Sequence, residues 1–97
     1  MISYNYMSDM ESEKLLILFE ELADKMDINI VHGKGDFLGG MCSVNEEVYI
    51  VLNKIKPINQ RLSVLGEEFG KLDLSNVFLP PVLRAYIEDI QENIFQS

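Results

Sequence analysis

His32, Cys42 and the glycine-rich run Gly33–Gly40 (GKGDFLGG) carry the least ordinary chemistry of this 97-residue chain. A thiol becomes a nucleophile when a base and an orienting group stand beside it, and His32 is the only histidine available to Cys42. Exposed backbone N–H groups in a glycine-rich loop can cradle an anion. This run departs from the known phosphate patterns. No Gly-Lys-Ser/Thr follows it, the G-x-G-x-x-G spacing is missing, and Asp36 places a negative charge where phosphate would sit. A structural turn is the simpler use of the loop, and an ordinary strand histidine the simpler use of His32. No catalytic, cofactor-binding or metal-ligating residue is assigned from these patterns.

A second group of polar side chains falls in the helical pattern after Pro57. Glu67 and Lys71 stand four residues apart, with Glu first, the more favourable order for a helix pair. Exposed, such a pair contributes only a few tenths of a kcal/mol. Asp36, Glu46, Glu47, Glu67 and Glu68 are too scattered to form an assigned acid–base pair. Arg61 and Arg84 read as members of structural ion pairs.

Sixteen acids against eight bases give a formal net charge of −8. That opposes non-specific binding to nucleic acid or to an anionic membrane. Nucleic-acid binding is the least expected class, unless Lys34, Lys54 and Lys56, all near strand ends, gather into a local basic patch. One cysteine allows no internal disulfide and fits a reducing, cytoplasmic compartment. One cysteine and one histidine would need two carboxylates beside them to complete a tetrahedral zinc site. No apolar run approaches the roughly 18 residues of a membrane helix, and no secretory signal pattern opens the chain.

The elements that position these groups make a single α+β domain over residues 1–97, in the order α-β-β-β-α-α. Ser8 and Glu11 fit a capping box before a helix over about 9–26. Leu15, Leu18, Phe19, Leu22 and Met26 share one of its sides, and Leu16 and Ile17 widen the stripe. Ile28, Ile30 and His32 alternate as a short strand. The glycine loop leads to a strand over 41–44, and a turn at Asn45-Glu46-Glu47 leads to another over 48–52. The simplest sheet is a three-stranded antiparallel meander. Pro57 suits the first turn of a helix, whose residues Ile58, Leu62, Leu65, Phe69 and Leu72 repeat at helical spacing. Gly66 within it implies close approach of helix to sheet. Pro80 and Pro81 open a last helix to about residue 94, with Leu83, Ile87, Ile90 and Ile94 on its packing face. The expected architecture is therefore a small antiparallel sheet packed by an N-terminal, a central and a C-terminal helix.

The stretch from Tyr49 to Lys71, YIVLNKIKPINQRLSVLGEEFGK, is the organising unit. Its strand I-V-L-N, a short break, an arginine and then L-x-x-L-G-E-E-F-G-K resemble the core of the ImmA/IrrE-type zinc metallopeptidases. There a strand ending near an Asn leads to a helix bearing H-E-x-x-H. Glu67 and Lys71 stand at the two histidine positions, and only the general-base position is kept, as Glu68. An ammonium at Lys71 has no lone pair for zinc, and Glu68 without metal has no activated water. The resemblance implies a degenerate scaffold without peptidase chemistry. As a whole the chain resembles small soluble bacterial proteins.

The expected function is a non-enzymatic domain acting through protein–protein contact, with a homodimer or another protein as partner and no membrane. The stripe Leu15–Leu22 and the tail Ile90–Phe95 are the candidate contact surfaces. The alternative is a small enzyme or small-ligand binder using Gly33–Gly40 with His32 and Cys42.

Overall fold

The computed structural model describes residues 9–96, and the side chains of 10–92. Ser8 of the expected capping box and the segment 1–7 lie outside the described residues. Six elements follow the expected order: α1 (Asp9–Lys25), β1 (Ile28–Gly33), β2 (Gly39–Val44), β3 (Glu47–Asn53), α2 (Ile58–Gly70) and α3 (Pro81–Gln96). The fold is α+β, with a three-stranded sheet packed by three helices.

The sheet is mixed, which corrects the antiparallel meander. The strand order is β1-β3-β2, so the last strand in sequence is central. β1 runs parallel to β3, from Ile28 opposite Val48 to Gly33 opposite Asn53. β2 runs antiparallel to β3, from Gly39 opposite Leu52 to Val44 opposite Glu47. The physical reason lies in composition. β3 carries the continuous apolar run Val48–Leu52, which suits a strand flanked on both sides, whereas β2 opens on two glycines and suits an edge. The β2–β3 turn is a two-residue one: Asn45 and Glu46 both have positive φ, 51° and 71°, as a type I′ hairpin requires. Glu47 accordingly belongs to β3 instead of the turn.

α1 and α2 pack on one face of this sheet, and α3 packs against those two helices. Register places Ile28, Ile30, Val48, Ile50, Leu52 and Met41 on that face, and each is in the core cluster or packed against it. From α1 come Leu15, Phe19, Leu22 and Ala23, from α2 Leu62, Val64, Leu65 and Phe69, and from α3 Leu83 and Ile87. Phe19 joins the helices. Its ring stacks on Phe69 at 5.7 Å between centroids and meets Tyr86 edge-on at 6.0 Å, an arrangement that adds to plain area burial. The Leu15–Leu22 stripe is thus largely core. Ile17 is exposed beside it.

Gly66 marks a close helix–helix approach instead of the helix–sheet contact expected. A Cβ there would stand 3.0 Å from Ile90 Cγ1 and 3.2 Å from Tyr86 Cε2, both on α3. One turn on, a Cβ at Gly70 would collide with the Gln91 amide. That amide donates to the Gly66 and Glu67 carbonyls at 3.4 and 3.5 Å, binding α3 to the backbone of α2.

Candidate functional site

The end of the sheet where β1 and β3 finish gathers most of the groups singled out by type. Because β1 and β2 flank β3, the glycine-rich connection 34–38 must cross over the end of β3 to reach the far edge. Asn53, the last residue of β3, is fully buried beneath it. Its Nδ2 donates to the carbonyls of Gly35 (2.7 Å) and Phe37 (2.6 Å), and its Oδ1 accepts from the Ile55 amide at 3.2 Å. The Lys54 amide donates to the Gly33 carbonyl at 2.8 Å, closing the parallel pair. The loop therefore turns two carbonyls inward onto an amide donor. That is the polarity of an anchored crossover; an anion cradle would turn N–H groups inward instead. Asn53 is the structural residue that type and spacing alone did not single out.

β3 separates His32 from Cys42. His32 pairs with Leu52 across one side of β3, and Cys42 with Tyr49 across the other. Two strand spacings and three residues of offset put their backbones on the order of 14 Å apart. They also project to opposite faces, since Leu52 and Tyr49 differ by an odd number of positions. The two do not form a nucleophile–base pair. Both are exposed. Among the described residues no group of three or more His, Cys, Asp or Glu side chains comes together to hold a metal ion.

On α2, Lys71 reaches Glu68 at 3.5 Å, three residues back, and not Glu67. α2 ends at Gly70 and Lys71 caps it in αR conformation, its amide donating to the Glu68 carbonyl and the Leu72 amide to the Phe69 carbonyl. The lysine is largely exposed, so the pair contributes only a few tenths of a kcal/mol. Arg61 Nε donates to the Lys56 carbonyl at 3.1 Å and holds the turn ahead of α2.

Lys34 follows Gly33, Lys54 follows Asn53, and those two residues are paired in register. Lys56 lies two residues on, and Arg61 one turn into α2. Four of the eight cationic side chains thus gather at one end of an acidic chain, with Asp36 beside them. The opposite end of the sheet carries Glu46 and Glu47. Tyr49 Oη donates to Glu47 Oε1 at 3.0 Å, and that bond, with the carboxylate's charge, holds the phenol above its ordinary pKa.

Among the described residues no element covers the face of the sheet away from the helices. Asn29, Val31, Tyr49, Val51, Cys42 and Val44 project there by register, and none of them belongs to the core. Val31 is 40% exposed and Val44 53%. The Phe37 ring rests against Gly33 at the loop end of this face, and Leu38 beside it is exposed. A strand exposed on one face normally alternates apolar with polar residues. β3 does not: Tyr49 and Val51 are apolar or aromatic on the outer side too. The outer face was legible as that unbroken apolar run.

No helix among the described residues is long and apolar enough to cross a membrane. In the tail, Ile90 is half-buried against Gly66, and the side chains of 93–96 lie outside those described. Comparison with protein-family models, curated proteins and solved structures finds no significant match to this chain.

Proposed function

We propose that this chain is a non-catalytic protein-interaction domain that docks a partner protein on the helix-free face of its sheet. The observation that carries the reading is the group Val31, Val51 and Phe37 at the loop end of a face that no described helix covers. A contiguous exposed apolar surface of this kind marks a contact site more often than chance. Lys34 stands at its rim beside Phe37. The complementary surface is an apolar patch bordered by carboxylates, because opposite charges at a rim set orientation and choice of partner. The resemblance of β3 and α2 to the ImmA/IrrE-type unit fits a scaffold that kept its shape and lost its zinc ligands. Glu68, at the general-base position, is engaged by Lys71. The setting that fits a lone cysteine is the bacterial cytoplasm.

The test is competition between surface variants for a partner captured from the native host. Val31→Glu and Lys34→Glu are expected to abolish capture, and Glu13→Lys, on exposed α1 surface, to leave it intact. Reversing a rim carboxylate of the partner to lysine is expected to restore binding to Lys34→Glu. Capture indifferent to both face variants would overturn the reading.

A further inference from the structure

We infer that two copies of this chain pair antiparallel through the free edge of β2, about a two-fold axis perpendicular to the sheet. This inference concerns an edge and stands apart from the docking reading of the open face.

The sheet has two edges, and they differ. Beside β1, α1 places Glu20 and Asp24 around a hollow of about 300 Å³ that also touches Ile28, Asn29 and Ile30. Carboxylates placed over an edge discourage another strand from adding there. Among the described residues β2 has no such guard. Gly39–Val44 contains no charged residue and no proline, and its six-residue register with β3 runs without a bulge. It is also the most exposed of the three strands. An unpaired row of N–H and C=O groups on a regular, uncharged strand is a template for another strand.

Charge selects the occupant and the direction. The acidic turn Glu46-Glu47 lies at one end of β2, and the basic ends of β1 and β3 lie at the other. An antiparallel second copy brings its acidic turn to the basic end of the first, twice over. By strand spacing, Glu46 of the mate comes to within about 12 Å of Lys54 between backbones, a gap two long side chains can close. A parallel pairing would set acid against acid. The antiparallel arrangement also keeps both helical layers on one side and both open faces on the other.

The register is restricted further. Directly opposite residues of an antiparallel pair share a face, so the axis must pass between a residue and its own mate. In a six-residue strand the central choices are Met41 and Cys42. Either places the two exposed Cys42 thiols opposite each other or one diagonal step apart.

The purified full chain tests this by sedimentation equilibrium and crosslinking. At about 100 μM, where a micromolar complex is mostly formed, the expected mass is twice the 11.1 kDa of the chain. A short bismaleimide is expected to link the Cys42 thiols in that sample. Cys42→Glu, which sets like charges across the axis at an exposed position, is expected to return the monomer with an unchanged circular dichroism spectrum. Glu46→Lys and Lys54→Glu are each expected to weaken the dimer, and the double variant to restore it. A monomer at this concentration overturns the inference. So does a dimer that survives Cys42→Glu, or one that no Cys42 crosslink captures.

Discussion

Replacing Asn53 by alanine removes the clasp that carries the crossover loop over the end of β3. Three hydrogen bonds depend on that side chain, two given to the Gly35 and Phe37 carbonyls and one taken from the Ile55 amide. Each contributes on the order of 1 kcal/mol net, and stranding the carbonyls and the amide in a buried place adds to the loss. The total is about 3–4 kcal/mol, out of the roughly 5–15 kcal/mol that holds a domain of this size. With a urea m-value of about 1 kcal/mol/M for a small chain, the midpoint falls by about 3 M. Asn53→Asp is a sharper probe because it keeps the shape and reverses the polarity. A carboxylate facing two carbonyls is worse than a void, so at neutral pH this variant is expected to be less stable than the alanine. Its folded pKa must then lie above the unfolded value of about 3.9. A raised pKa gives stability that is fully present below the unfolded value and lost as pH rises through the folded one. The aspartate variant should therefore recover in acid relative to the alanine. Urea titrations of the wild type and both variants at pH 7 and at about pH 4 decide it. An alanine variant within about 0.5 kcal/mol of wild type, or an aspartate variant without acid recovery, would refute the clasp.

Gly66→Ala gains up to about 1 kcal/mol of helix propensity, but its Cβ would press Ile90 at 3.0 Å and Tyr86 at 3.2 Å. A net loss of about 1 kcal/mol is expected from overpacking, read in denaturant titrations. Gly39→Ala is expected to cost about 2 kcal/mol or more, because Gly39 sits at φ 128° and its Cβ would fall 2.6 Å from the Val51 carbonyl. Burial raises the Tyr86 phenol above its usual pKa against an opposing hydrogen bond from Ser63. That contribution is present below the unfolded pKa near 10 and lost as pH rises through the folded value, so Tyr86→Phe should flatten the alkaline fall in melting temperature. Asp73 is held below its ordinary pKa by the Ser75 hydroxyl and amide. Ser75→Ala should raise that pKa in an NMR titration.

Helix positions and strand positions were legible because each follows a period. Ile58, Leu62, Leu65 and Phe69 on α2, and Ile28, Ile50 and Leu52 on the sheet, announce their buried sides by spacing alone. Pairing order was not legible in that way. Nothing local in β1 says whether it lies parallel or antiparallel to its neighbour, since that depends on which strand takes the centre. The clue was the contrast between the unbroken run of β3 and the glycines of β2, a comparison between strands. The same holds for Gly66. Its small size signalled a close approach, but whether sheet or α3 fills the space is decided by tertiary packing. Separation of His32 from Cys42 follows from strand order too: in a meander their strands would be neighbours, and here β3 lies between them. Lys71 pairs three residues back because Glu68 and Glu67 are both its neighbours on a helix, and spacing alone does not choose between them.

Placing the last strand at the centre has a consequence for how the protein is made. During synthesis β1 and β2 emerge first, and neither pairs with the other in the finished sheet. Until residues 47–53 leave the ribosome, every backbone hydrogen bond of the sheet is still missing. The hairpin with β2 then closes locally, and the parallel pairing with β1 must span a longer loop, which is the slower kind of contact. The nascent chain therefore carries two open strands and an amphipathic α1 at once, the state in which exposed apolar surface is most prone to stray association. Arrest of translation just before and just after β3, with protease digestion of the stalled chains, should show protection appearing only in the longer one.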